Sequence, residues 1–259
     1  MNLTVLGSGS EGNAVLVRSG DATILIDAGF SGKTITCRVE DVGVRTGEIQ
    51  ALVITHEHVD HVRGAGVLAR RLKIPVYATE GTFHRGRSRL GALPRQYPIA
   101  GGSGFQIGSL TLHPFDISHD ATEPVGFVID DGTFRIGVCT DSGCVTHLMR
   151  EKLRHCDALV LEMNHDPTML LAGPYPWELK QRIRSRIGHL SNDDASEFIR
   201  DLWHPGLKHI FLAHLSKENN LPELARMAAE EALLAAGCSN GDTRIHVTTQ
   251  HQTSELITL

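Results

Sequence analysis

Thr55-His56-Glu57-His58-Val59-Asp60-His61 puts three histidines and two carboxylates into six consecutive residues, 56–61, directly behind the apolar run Ala51-Leu52-Val53-Ile54. Imidazole and carboxylate are the side chains that hold divalent cations, and imidazole is also the commonest general acid or base. The spacing is H-x-H-x-D-H. It is not the zinc-protease pattern HExxH, because Asp60 stands where the second histidine would be. His56 and His58 alternate, so an extended backbone projects both toward one point. Asp60 and His61 follow at a turn into a helix and face a second point. One cation takes about four ligands, and these four donors better suit two cations about 3.5–4 Å apart. The missing ligands must come from far along the chain, and His119, Asp141 and His214 are the candidates.

The elements that must position these residues can be read from the apolar pattern. Ala51–Ile54 reads as a buried strand, so the cluster sits on the loop at a strand's carboxyl end, where open α/β sheets place their ligands. The same arrangement recurs. Thr23–Ile26 ends at Asp27, Phe134–Val138 precedes Asp141, Ala158–Leu161 ends at Glu162, and His209–Ala213 ends at His214. Buried polar groups cost free energy, so several polar strand ends imply one shared edge.

Further strands are expected at 2–6, 14–17, 74–77, 105–107, 110–115, 125–129 and 243–248, with Asp130-Asp131-Gly132 as a hairpin turn. Helices are expected at 31–43, 61–72, 145–155, about 178–186, about 191–202 with Ser191 or Asn192 as cap, and from Pro222 to about Ala236. Residues 79–91 form an exposed basic segment and 166–177 a loop rich in Pro and Tyr. Gly7-Ser8-Gly9-Ser10-Glu11-Gly12-Asn13 either connects a hairpin or cradles an anion with backbone N–H groups. It is neither a Walker A loop nor a dinucleotide fingerprint. Strands alternate with helices in both halves around a β-rich centre. That pattern predicts two sheets with helices outside, in one domain spanning 1–259.

Bulk properties narrow the class. The 259 residues suffice for a substantial core, and 41% hydrophobic with 21% charged residues is ordinary for a globular protein. A net charge of -5 excludes a globally basic nucleic-acid binder but not a local basic groove. Five cysteines without a CxxC predict free thiols and a reducing compartment. The amino terminus lacks a signal-peptide pattern, and no apolar run approaches a membrane span, so a cytoplasmic protein with no membrane association is expected. Fifteen histidines is the unusual figure. The oligomeric state stays open, a homodimer included.

In order along the chain, Asp27, His56-x-His58-x-Asp60-His61, His119, Asp141 and His214 resemble the signature of the metallo-β-lactamase superfamily. The resemblance implies an α/β fold, an αββα four-layer sandwich of two mixed β-sheets flanked by helices. It implies one cation on His56, His58 and His119, a second on Asp60, His61 and His214, and Asp141 between them. Leu6–Asn13, Leu161–Asp166, Tyr175-Pro176, Gly188–Asn192 and Leu212–Ser216 further resemble the YycJ/WalJ-type family, regarded as 5′–3′ DNA exonucleases. The chain is also similar to ribonuclease Z, which shares a Glu and a His at the places of Glu162 and His189 but carries a long tRNA-gripping arm for which this chain has no room.

The resulting expectation is a dinuclear phosphodiesterase, with Zn or Mn lowering the pKa of a bridging water. Asp60 and Asp141 orient the nucleophile. His189 is the leaving-group acid or a phosphate contact, held by Glu162. Asn164, His165, Ser8 and Asn13 are further candidates for substrate contact. So are Arg182 and Arg186, from a basic run that begins at Lys180; Arg85, Arg87 and Arg89 form a second run. Arginine suits phosphate, and the partner expected is nucleic acid, DNA in the first place. A thioesterase or lactonase, a cyclic-nucleotide or RNA phosphodiesterase, and a degenerate binding scaffold are the alternatives.

Overall fold

In the computed structural model of the protein, which describes residues 1–239 and 241–259, the apolar runs become strands of two seven-stranded sheets. The first half of the chain forms β1 (Asn2–Gly7), β2 (Ala14–Ser19), β3 (Ala22–Ile26), α1 (Gly32–Asp41), β4 (Ala51–Val53), α2 (Val59–Val62), α3 (Ala65–Leu72), β5 (Val76–Thr79), α4 (Glu80–Leu90) and β6 (Gln96–Ile99). The second half forms β7 (Phe105–Ile107), β8 (Leu110–Asp116), β9 (Val125–Asp130), β10 (Arg135–Cys139), α5 (His147–Leu153), β11 (Ala158–Glu162), α6 (Pro167–Ala172), α7 (Trp177–Ile183), α8 (Asn192–Leu202), β12 (His209–Ala213), α9 (Pro222–Ala235), β13 (Arg244–Val247) and β14 (Ile257–Thr258).

The sheets run β14-β1-β2-β3-β4-β5-β6 and β7-β8-β9-β10-β11-β12-β13. Read in these directions, each begins with three antiparallel pairings and ends with three parallel ones. Side chains alternate between layers, as the two-residue period of a strand requires. Leu3 and Val5 of β1 face the space between the sheets, while Leu6 faces the outer helices. Ile136 and Val138 of β10 point inward while Cys139 points out to the helices. The inner layer joins Val5, Val17, Ile24 and Val53 to Phe127, Ile129, Val138 and Phe211. Outside, Ile35 and Val39 of α1 with Leu68 of α3 cover the first sheet, and α5, α8 and α9 cover the second. This is the expected αββα sandwich of two mixed sheets.

Local departures from the sequence reading have physical causes. The helix expected over 61–72 is two helices broken at Gly64. There the Gly64 amide donates to the Ala28 carbonyl, and an added Cβ would collide with the Phe30 carbonyl oxygen. Residues 80–90 are helical, not merely a basic segment: Thr79 caps α4 by accepting from the Thr82 amide. The loop at 166–177 contains α6, which Asp166 caps and Pro167 opens. The basic helix at 178–186 stops at Ile183, and Lys180 turns inward, its Nζ donating to the Leu171 and Gly173 carbonyls at 2.7 Å. The short edge strands β6 and β14 carry too little apolar pattern to be read in advance. Among the described residues no helix is long and apolar enough to cross a membrane, and the five cysteines are free thiols.

Candidate metal centre

The polar strand ends converge at one edge of the sandwich. Asp27 follows β3, His56–His61 follow β4, His119 lies between β8 and β9, Asp141 follows β10, Glu162 closes β11 and His214 follows β12. Asp27, Asp141 and His214 each adopt a left-handed backbone, with φ of 60°, 60° and 55°. Asp and His tolerate this region better than most residues, and such strain concentrates at functional sites. The sharp reversal turns each side chain back across its strand end.

His56, His58 and His119 bring three imidazoles together, with His58 Nδ1 3.2 Å from His119 Nε2. Asp60, His61, Asp141 and His214 form a second group. His61 Nε2 lies 3.4 Å from Asp60 Oδ2 and 3.3 Å from Asp141 Oδ2. His214 Nε2 lies 3.3 Å from Asp60 Oδ2 and 3.4 Å from Asp141 Oδ1. Asp141 Oδ1 also lies 4.0 Å from His119 Nε2, so this carboxylate stands between the groups. A third group joins Asp141 and His214 to Glu162 and His189. Hydrogen bonds already account for its closeness: His189 Nδ1 donates to Glu162 Oε1 at 2.7 Å and His214 Nδ1 to the same oxygen at 3.1 Å.

The donor set fits divalent cations. His56 Nε2 and Asp141 Oδ2 are buried yet have no hydrogen-bond partner, and buried polar atoms are otherwise almost always paired. Each lies in one of the first two groups, where a cation would satisfy it. The far ring nitrogens are held as metal-binding histidines require. His61 Nδ1 donates to Asp27 Oδ2 at 2.7 Å, and His119 Nδ1 to the Gly188 carbonyl at 3.0 Å. Asp27 is in turn fixed by the amide and hydroxyl of Thr55.

Electrostatics prepare the same residues. Burial, reinforced by neighbouring His61, holds the His56 pKa well down, and burial also lowers that of His119. Both shifts favour the neutral imidazole, the form that can bind a cation. Burial opposes charge on His214 as well, but Asp141, Asp60 and Glu162 outweigh it and raise its pKa to about 10. Against the same burial, His61 is raised by Asp141, Asp27 and Asp60. In the other direction, burial alone would raise Asp60, yet His61 and His214 hold it well below the carboxylate range.

The remaining sequence candidates divide. His189 and Arg182 line the cleft over the metal groups, and Asn164 lines a smaller adjoining pocket. Glu162 is fully buried beneath them. Ser8 and Asn13 serve as supports instead of an open anion cradle: Ser8 Oγ accepts from the His214 amide at 2.8 Å and donates to Asn13 Oδ1. Asn13 Nδ2 reaches Asp60 Oδ2 at 3.3 Å. His165 is buried away from the cleft lining, its pKa lowered to about 4 by burial. Arg186 is exposed, also off that lining. Asp120, which sequence reasoning misses, lies in the cleft wall with Oδ1 3.4 Å from His119 Nε2 and Oδ2 accepting from Arg182 Nε at 2.6 Å. Its only sequence signal is adjacency to His119.

One glycine has no substitute. The Gly29 amide donates to the Asn13 carbonyl, the Asn13 amide to the Asp60 carbonyl at 2.7 Å, and a Cβ on Gly29 would overlap the Asp60 carbonyl oxygen. Gly29→Ala is expected to cost about 1–3 kcal/mol, as forced overpacking does, and to weaken metal uptake by displacing Asp60. Thermal denaturation with and without added Zn²⁺ checks both.

Comparison with known proteins agrees with this geometry. The profile of the beta-lactamase superfamily domain matches residues 22–214, from β3 to the last of the converging histidines. Exodeoxyribonuclease YycJ of Bacillus anthracis is 37% identical over 251 residues, covering 96% of this chain and 95% of that protein. Exodeoxyribonuclease WalJ of Streptococcus pneumoniae is 38% identical over 245 residues, covering 92% and 90%. The metallo-beta-lactamase fold protein YhfI of Bacillus subtilis superposes with a TM-score of 0.74 at 18% identity over 98% of this chain and 99% of that one, a likeness of fold. With its strand-end histidines and carboxylates gathered at one edge of the sandwich, the chain is a metal-dependent hydrolase and belongs to the beta-lactamase superfamily, in the family of YycJ and WalJ.

Proposed function

We propose that this protein is a dinuclear 5′–3′ exodeoxyribonuclease, built as one unit over residues 1–259. The observation that carries the dinuclear reading is Asp141, whose two oxygens lie between the His56/His58/His119 group and the Asp60/His61/His214 group. Those residues are the ligands in this reading, with Asp141 shared. Two cations so held, Zn or Mn, would supply Lewis acidity at phosphate oxygens and an activated water near neutral pH. DNA as substrate and the exonucleolytic mode are supported by the exodeoxyribonuclease activity for which YycJ and WalJ are named, over nearly the whole chain.

The chain's own groups supply the rest. Asp60 and Asp141 orient the attacking group from either side. His189 keeps a proton on Nδ1, where it donates to Glu162, and its Nε2 has no protein partner among the described residues. In the imidazolium form, with a second proton on Nε2, the ring can hand that proton to the leaving oxygen or donate it to a phosphate oxygen. Glu162 sets the ring by accepting at Oε2 from the Ser142 and Leu190 amides at 2.9 and 3.1 Å while Oε1 takes His189 and His214. Arg182 faces the same cleft as a phosphate contact. Asn164 fixes the His214 carbonyl at 2.8 Å.

Glu162→Gln is expected to lower kcat by about 10- to 100-fold, the scale for groups that orient metal ligands, because an amide nitrogen then faces donors that need an acceptor. Bound-metal analysis beside kinetics separates loss of the cation from loss of His189 alignment.

The test is digestion of end-labelled single- and double-stranded DNA and RNA with Zn²⁺ or Mn²⁺, and with His61→Ala as the inactive control. Mononucleotides released from the 5′ end of DNA are expected. Turnover of a lactone or thioester without phosphodiester cleavage would overturn the reading.

A further inference from the structure

The cleft over the metal groups, about 580 Å³, is walled by arginines of two kinds. On one side Arg182 of α7 is already engaged, its Nε and Nη2 both on Asp120 Oδ2. Asp120 thus ties that guanidinium to the His58/His119 side of the centre. On the other side α4 presents Arg85 and Arg89, four residues apart and so on one helix face. Both line the cleft with His58 and Asp60. Both are exposed, and neither has a carboxylate or hydrogen-bond partner among the described residues.

Arg87, between them, faces a separate groove lined by Phe83, His84 and Leu90 on the far side of α4. The helix therefore sorts three neighbouring arginines, sending two to the cleft and one away. Helix periodicity alone separates position 87 from 85 and 89; what the fold adds is that the 85/89 face is the one turned to the cleft. Attraction to the helix dipole accounts for cations in the last turn, Arg87 and Arg89, but not for Arg85. Like charges at this spacing also repel slightly in an isolated helix.

The wall packs directly against the loop that carries His56–His61. Gly86 packs against the metal loop, where an added Cβ would sit 3.5 Å from Glu57 Cβ. Glu57 Oε1 takes the Thr122 amide at 3.0 Å, and Glu123 takes the Gly81 amide at 2.8 Å. α4 is thus fixed to the cleft at both its first turn and its middle.

We propose that the Arg85/Arg89 face of α4 holds the sugar-phosphate backbone of a polynucleotide beyond the linkage being cut. Arg182, held by Asp120, acts at that linkage; Arg85 and Arg89 act on its neighbours. The protein's preference for a polymer over a small phosphodiester then resides in α4. The inference rests on the nuclease reading above and adds where the polymer lies.

The test compares wild type, Arg85→Ala/Arg89→Ala, Arg85→Lys/Arg89→Lys and Arg87→Ala. Binding of a labelled single-stranded oligodeoxynucleotide is followed by anisotropy between about 50 and 200 mM salt, and cleavage kinetics are measured on the same strand and on bis-p-nitrophenyl phosphate. For the alanine double variant, Kd and KM on the strand are expected to rise about ten-fold. The slope of log K against log salt should fall by about 1.4, about 0.7 for each phosphate no longer neutralised. The loss on the small diester should be at least ten-fold smaller. The lysine pair should recover most of the binding, and Arg87→Ala, which removes one charge to the pair's two, should move Kd less than about two-fold.

An unchanged salt slope, or an equal effect from Arg87→Ala, overturns the proposal. Equal losses on strand and small diester also overturn it. Failure of the nuclease reading shows separately, as wild type that turns over other esters but no polynucleotide. The anisotropy of the same variants then still decides whether α4 binds the strand.

Discussion

Asp141→Asn is expected to lower phosphodiester hydrolysis by about 10²- to 10³-fold, the scale on which losing one preorganised electrostatic group slows hydrolases. Asparagine keeps the shape of the side chain and tolerates the left-handed backbone at this position, φ 60°. An alanine would add the cost of a left-handed residue, about 1–2 kcal/mol, and blur the result. The amide cannot replace a carboxylate whose Oδ1 faces His119 and His214 while Oδ2 faces His61. Bound metal should fall from about two per chain to one or fewer, and the metal-free thermal transition should also fall, because Asp141 is the main carboxylate holding His61 and His214 charged. Metal analysis, kcat at saturating Zn²⁺ or Mn²⁺ and calorimetry check the three parts. Activity within ten-fold of wild type would remove Asp141 from the centre.

Stripping the metal should have the second large effect, on stability as well as activity. A cation present at 1,000 times its Kd stabilises the native state by about 4.1 kcal/mol. At about 2–4 °C per kcal/mol for a chain of this size, chelation should lower Tm by roughly 8–16 °C. The direction with pH follows from the raised histidines. His214, at about 10 against an ordinary 6.5, stabilises the metal-free fold fully below pH 6.5, and that contribution is lost as pH rises toward 10. His61 acts in the same sense. Asp60 and Glu162 are depressed by their histidine partners despite burial, so their contribution is present above the ordinary carboxylate value and lost on acidification. His56, His119 and His165, buried and lowered, cost stability as pH falls below 6.5, so the metal-free protein should be most stable near pH 6.5 and weaken above it. Cations compete with the protons on His61 and His214, so the Tm gained on adding Zn²⁺ should grow over the same interval. A gain independent of pH between 6 and 9 would contradict this account.

The converging strand ends are legible in the sequence because apolar runs and the polar residues that close them are both local patterns. Asp27, His56–His61, Glu162 and His214 announce themselves in that way. His119 does not follow a strand directly and stands out only beside the others. Helix α4 is harder: Gly81 and Gly86 lower its helix propensity, and its many charges hide the buried face. Its two glycines make sense only in three dimensions, where Gly86 meets Glu57. Asp120 and the inward turn of Lys180 depend on partners 62 residues and 7–9 residues away. Ser8 and Asn13 read as candidates for substrate contact because side-chain type alone cannot distinguish such contact from support of neighbouring site residues.

The contacts at the candidate centre join residues far apart in the chain: His61 to Asp27 across 34 positions, His119 to His58 across 61, and His214 to Asp60 across 154. No proteolytic fragment that stops short of β12 contains the whole second group, and none that begins after α2 contains either group entire. With the proposed ligand set, the growing chain would stay hydrolytically silent during synthesis until His214 has emerged and both sheets have closed around it. For a protein that cuts phosphodiesters, this makes catalytic competence a report of completed folding, and it makes truncated or misfolded copies inert.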